Sequence, residues 1–174
     1  MTHFRTVLAA SALAAGIAAP ALAQTVEPAA ARATMIDADG AELGTAEFSA
    51  TPVGVLIRAE LSGLPPGPHG FHIHETGACE PPFESAGGHH NPAGAEHGFL
   101  VEGGPHTGDM PNIHVPESGE ITTEVLNAFV RFDGGELFDT DGAALVVHAD
   151  PDDYTSQPSG AAGDRIACGV IEQS

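Results

Sequence analysis

The sequence contains no lysine, and its arginines number five: Arg5, Arg32, Arg58, Arg131 and Arg165. Set against 24 acidic residues, they leave a formal net charge of −19 at pH 7. A surface so poor in cations cannot neutralise phosphates, which argues against nucleic acid and anionic membranes as partners. Metal cations, solubility and a salty environment all remain compatible with it. Cysteine is nearly absent as well, with only Cys79 and Cys168. No internal repeat is visible, and beyond the N-terminus no segment sustains a helical period over a dozen residues.

The one long apolar run lies at the start. Arg5 is the only charged side chain before Glu27, and the run from Val7 closes on Ala21-Leu22-Ala23, a small-x-small cleavage pattern. Residues 1–23 therefore read as a secretory signal peptide cut after Ala23, leaving one domain, 24–174. The run is too short, too rich in alanine and too broken at Pro20 to read as a membrane-spanning helix of about 20 residues. Loss of Arg5 moves the formal charge from −19 to −20. Export to a periplasmic or extracellular compartment makes a Cys79–Cys168 disulfide the default.

The exported part alternates with period 2. In Gly54–Leu61, Val55, Ile57, Ala59 and Leu61 share one face, and Leu56, Arg58 and Glu60 share the other. Similar runs occur at 33–36, 43–50, 71–75, 112–115, 121–127, 144–148 and 165–171. Turn residues separate them, among them Asp39-Gly40, Pro65-Pro66-Gly67, Glu117-Ser118-Gly119, Gly134-Gly135 and Asp141-Gly142. About eight short strands predict an all-β antiparallel sandwich or barrel. Two segments, 76–111 and 149–164, are too long for hairpin turns, and long loops on a small β scaffold carry function.

Of ten histidines, eight fall between positions 69 and 114. His72 and His74 stand two apart on a predicted strand, so both rings leave the same face and form a two-point metal grip. His148 ends the apolar strand 144–148 and offers a third imidazole from a neighbouring strand. The first long loop adds His89 or His90, then His97, His106 and Asp109. Three imidazoles with one carboxylate suit zinc, and an all-imidazole set suits copper. Ligand chemistry alone does not choose between His89 and His90.

Six stretches resemble the copper/zinc superoxide dismutase family, in family order over roughly the last two thirds of the chain. They are HGFHIHETGAC (69–79), SAGGHHNP (85–92), EHGF (96–99), HTGDMPN (106–112), ALVVHADPDD (144–153) and GDRIACGVI (163–171). The signal peptide and the short run from Cys79 to His89 resemble bacterial exported members. The resemblance implies an eight-stranded Greek-key β-sandwich that disproportionates superoxide, its substrate, to dioxygen and hydrogen peroxide by copper redox cycling. It implies copper on His72, His74, His89 and His148, and zinc on His89, His97, His106 and Asp109, with His89 shared as an imidazolate. The family motif His-x-Asn-Pro selects His89 and leaves His90 unneeded as a ligand. It further implies Arg165 as the arginine beside copper, Asp152 as a carboxylate bonded to metal histidines, His69 as a structural histidine and Cys79–Cys168 as the disulfide. His114 has no counterpart and reads as a strand-edge residue.

The chain departs from the family pattern in the loop 149–164, which is short, lacks lysine and carries Asp150, Asp152, Asp153 and Asp164. Weak or inverted electrostatic steering of the anion is the expectation. A metal-binding relative without turnover would lack a copper ligand or the arginine, and all are present here. A zinc hydrolase fits less well, because no acidic general base accompanies the His-x-His pair in a known motif. The sequence admits a monomer or a homodimer.

Overall fold

Alternation of side chains decides which segments become strands and which face each one buries. In the computed structural model, which describes residues 30–133 and 136–174, ten strands follow one another. They are β1 (Ala31–Ile36), β2 (Glu42–Thr51), β3 (Gly54–Leu61), β4 (Gly67–His69), β5 (Phe71–His74), β6 (Ile113–Val115), β7 (Ile121–Asn127), β8 (Ala144–His148), β9 (Arg165–Val170) and β10 (Glu172–Gln173). The predicted signal peptide and the Gly134-Gly135 turn lie outside the described residues.

The main sheet runs β5-β8-β9-β1-β2-β3-β7, with β10 added beside β1, while β4 and β6 pair separately. All pairings are antiparallel. Only Gly70 separates β4 from β5, so the two are one broken strand, and the architecture is the expected all-β antiparallel one. Sequence reading missed β4 because Pro65-Pro66-Gly67 reads as a turn. Pro68 is tolerated there because its only strand partner is the short β6, where it sits opposite His114.

In β1, Ala31, Ala33 and Met35 are buried and Arg32 and Thr34 exposed; β3 buries Val55, Ile57, Ala59 and Leu61, as its period predicts. These side chains close the core with Phe48, Phe71, Ile73, Leu145 and Val147. β8 differs, since all five of its residues are buried. Leu145 and Val147 face the main core, whereas Ala144 and Val146 face a second cluster with Phe83, Ala86 and Cys168. A strand covered on both faces reads as a continuous apolar run, and that is the appearance of Ala-Leu-Val-Val.

The Cys79–Cys168 disulfide, with Cα atoms 5.6 Å apart, fastens the first long loop to β9 across 89 positions of sequence. A loop of that length, closed by a bond, removes about 4–5 kcal/mol of chain entropy from the unfolded state. Metal-free Cys79→Ser/Cys168→Ser protein is therefore expected to lose several kcal/mol in urea denaturation against the oxidised wild type. A loss below about 1 kcal/mol would contradict this.

Candidate metal centre

β5 is buried along its whole length, and its alternation places His72 and His74 on one face. Its hydrogen-bonded partner β8 brings His148 to the same end, where His148 N donates to Gly70 O at 2.8 Å. The other edge of β5 is taken by the loop. Isolated bridges join His74 to His89 and His72 to Asp109, and Ile73 N donates to Gly108 O while His90 N donates to Ile73 O, both at 2.9 Å. A Cβ on Gly108 would stand 2.1 Å from Ile73 O, so only glycine lets the loop lie this close.

This pairing separates the two adjacent histidines. His89 turns toward His72 and His74, with ring centroids 4.0 and 5.0 Å away. His90 is also buried, but its Nε2 lies near Glu136, at 3.8 Å, and in neither cluster of candidate ligands. His69 is buried below the site and contacts the backbone oxygens of His148 and Pro65, each at 2.8 Å. His114 is exposed on β6.

Two buried groups of four potential ligands result: His72, His74, His89 and His148, and then His89, His97, His106 and Asp109. In each, the ligand atoms lie within 4.8 Å of one another. Outer ring nitrogens are tied, which fixes where the inner ones point. His72 Nε2 donates to Asp152 Oδ2 at 2.8 Å, His74 Nδ1 to Gly87 O at 3.0 Å, and His148 Nδ1 to Gly163 O at 3.3 Å. What remains is His72 Nδ1 and His89 Nε2, both buried without a hydrogen-bond partner, and the facing Nε2 atoms of His74 and His148, 3.3 Å apart. Buried imidazole nitrogens with no proton partner are costly in an apo protein and fit a cation that accepts their lone pairs.

In the second group Asp109 is central, with Oδ1 2.7 Å from His89 Nδ1, 3.1 Å from His97 Nδ1 and 3.4 Å from His106 Nδ1. Its Oδ2 accepts the backbone N–H groups of Gly98 and His106, at 3.0 and 2.9 Å. Asp152 joins the groups, reaching His97 Nε2 through Oδ1 at 3.0 Å while Oδ2 holds His72. A Cβ on Gly160, whose φ is +68°, would fall 1.8 Å from Asp152 Oδ1.

Burial pushes the His72 imidazole down to about 4 despite its bond to Asp152, and burial pushes His148 down to about 3. Burial also holds His74 well below its ordinary value. His97 goes the other way: burial opposes its charge, yet its bonds to Asp109 and Asp152 raise it to about 9. Burial alone would raise both carboxyls, but hydrogen bonds from His89 and His97 to Asp109, and from His72 and His97 to Asp152, hold them far below the usual range.

Three polar or apolar contacts here had no clear sequence signal. Gln157 clamps the backbone of His97, accepting from its N–H and donating to its C=O, both at 2.8 Å. Asn112 and Asp152 exchange two hydrogen bonds, at 2.9 and 2.8 Å. Phe83, fully buried, supplies the carbonyl that receives Arg165 Nη1, and Gly87 O receives Nη2 at 2.6 Å. Phe83 is one of two aromatics in the Gly/Pro/His-rich loop 76–111, with Phe99, and nothing in the pattern distinguishes it.

A β-sandwich carrying an all-imidazole cluster and an imidazole–carboxylate cluster, with one histidine in both, defines a protein built for two different metal ions. The family described as copper/zinc superoxide dismutase (SODC) matches residues 42–171. The chain is 52% identical to superoxide dismutase (Cu-Zn) 2 of Aquifex aeolicus over 81% of its length and 85% of that protein's. It is 45% identical to the Caulobacter vibrioides copper–zinc superoxide dismutase over 77% of its length and 80% of that protein's. Among solved structures, a SOD-like protein from Bacillus subtilis matches with TM-score 0.77 and 36% identity, covering 80% of this chain and 96% of that one. The Cu/Zn superoxide dismutase from Brucella abortus matches with TM-score 0.68 and 31% identity, covering 81% and 98%. The chain belongs to the copper/zinc superoxide dismutase family. It is an enzyme that converts superoxide to dioxygen and hydrogen peroxide, with copper and zinc as its cofactors.

Linkage fixes how the metal-free protein responds to pH. His72, His74 and His148 bind protons near 6.5 when unfolded and resist them when folded, so their contribution is present above that value and is lost as pH falls toward 4 and 3. The depressed carboxylates add to the acid limb, because their contribution is lost below about 4. His97 contributes fully below about 6.5, and its contribution is lost as pH rises through about 9. The melting temperature of chelator-treated protein is expected to peak near pH 6.5; a monotonic rise through pH 9 would contradict this.

Proposed function

We propose that His72, His74, His89 and His148 hold copper, that His89, His97, His106 and Asp109 hold zinc, and that His89 is the imidazolate common to both. The observation that carries this reading is the membership of His89 in both groups of four, with Nδ1 toward Asp109 and Nε2 buried and unpaired. Bound in the all-imidazole group, copper supplies the one-electron couple that dismutation requires.

The chain's own residues do the rest. His74, His89, His148 and Arg165 line a pocket of about 430 Å³ that is open to solvent. Arg165 keeps three of its five N–H donors after serving Phe83 O and Gly87 O, and its fixed charge holds superoxide at the mouth. His89 Nε2 is the atom that takes a proton and returns it to the departing peroxide. His69 holds the His148 backbone from below, and Asp152 orients His72 and His97. Residues 1–23 serve as the signal peptide, and the mature chain works in the periplasm or outside the cell, as a monomer or homodimer. The disulfide and the bacterial relatives support export.

His89→Ala is expected to deplete both copper and zinc, and His90→Ala to leave both near wild-type content, as read by elemental analysis of purified protein. The reverse pattern would make His90 the bridge.

The acidic loop bears on encounter. Asp152 is buried in its bonds to His72 and His97, and Asp153 is tied to Ser156 and Thr155, whose hydrogen bonds hold its carboxyl down to about 2. No lysine offsets these charges, while the screening length at physiological salt is about 8 Å. Pulse-radiolysis rates are therefore expected to change little, or to rise, as salt is added. A steep fall would show strong attractive steering.

A further inference from the structure

Residues 80–88, between Cys79 and His89, contain no candidate metal ligand, yet they contain one of the most deeply buried side chains of the molecule. Phe83 has no solvent exposure and packs with Ala86, Ala144, Val146 and Cys168, and with the partly buried Ile36 and Cys79. Its backbone is left-handed, with φ 75° and ψ 14°, a conformation that a bulky residue adopts only when its surroundings impose it. Phe83 N donates to Glu80 O at 2.6 Å, and Ala86 N donates back to Phe83 O at 3.2 Å, opening the short 3-10 helix Glu84–Ala86. In this turn the second lone pair of Phe83 O accepts Arg165 Nη1. Gly87 O accepts Nη2 at 2.6 Å and, from the other side, His74 Nδ1 at 3.0 Å.

Arg165 is the first residue of β9, and its long flexible stem would sample many rotamers without fixed receivers for the guanidinium. One receiver, Gly87 O, is shared with His74. The other is set by a strained turn that would relax if its ring were not locked between β8, β9 and the disulfide. We propose that Phe83 is a positioning residue for the anion site: its buried ring holds the left-handed turn whose carbonyl fixes the Arg165 guanidinium at the mouth of the copper pocket. This rests on the reading of Arg165 as the group that receives the anion.

The test uses full-length mature protein loaded with copper and zinc, its disulfide intact, with azide as the anion probe followed through the copper absorption spectrum. Phe83→Gly keeps the positive φ and removes the ring; Phe83→Leu keeps most of the apolar volume; Arg165→Leu calibrates the loss of the guanidinium. With metal content and disulfide verified, Phe83→Gly is expected to weaken azide binding by about tenfold, and Phe83→Leu to stay within about twofold of wild type. Wild-type affinity in Phe83→Gly, beside a clear loss in Arg165→Leu, would overturn the role of Phe83 alone. Equal affinity in Arg165→Leu and wild type would overturn the reading of Arg165 and the proposal with it.

A second measurement needs no glycine variant and decides the matter if Phe83→Gly fails to load metal. In ascorbate-reduced, ¹⁵N-labelled wild type, Arg165 Nη1 and Nη2 are expected to give separate, slowly exchanging resonances, and Phe83→Leu to preserve them. A single averaged Nη resonance in wild type would show an arginine that is not fixed, and would overturn the proposal.

Discussion

One buried carboxylate holds the centre together. Asp152 accepts from His72 Nε2 and His97 Nε2, one oxygen to each, and so binds the strand-borne cluster to the loop-borne cluster through a single rigid group. An anion with 3% exposure persists in a protein interior only if every lone pair is engaged. Its Oδ1 accepts a further bond from Tyr154 N, while the paired bonds of its backbone with Asn112 and the missing side chain of Gly160 keep the carboxylate in place. The six ligand imidazoles are then packed with their inner nitrogens turned toward one another or toward Asp109. The loops 76–111 and 149–164 meet at this arrangement, and the first is further anchored by Phe83 and Ala86 against β8 and Cys168.

The same economy extends to the pocket mouth. β9 begins at Arg165, β8 ends at His148, and the disulfide locks the loop carrying Phe83 and Gly87 against both. Folding, the two ligand clusters and the position of Arg165 therefore share one set of contacts. The strongly acidic remainder of the surface lies outside that set.

Sequence made much of this legible. The period of β3 gave its buried face, the His-x-His spacing gave two rings on one face, and the ladder from His89 to His97, His106 and Asp109 fell into one cluster. Period-2 logic placed β5 but missed β4 at Gly67–His69, where Gly70 breaks one strand in two and a proline sits in the short arm. It also could not separate His89 from His90, since both are buried and the difference lies in how the loop pairs with the free edge of β5. Long-range clamps such as Gln157 on His97, 60 residues apart, leave no local pattern, because a single polar side chain in a loop looks the same whether it meets water or a backbone. Phe83 escaped for a related reason: its importance lies in a backbone conformation and a carbonyl, which residue identity does not reveal.

The central claim is that two different metals share one imidazole, and X-ray diffraction from crystals of the metal-loaded protein, recorded on both sides of the copper and zinc absorption edges, addresses it directly. The account predicts a copper peak among His72, His74, His89 and His148, a zinc peak among His89, His97, His106 and Asp109, and the His89 ring between them. A single occupied site, or two metal peaks with no shared imidazole, would contradict it.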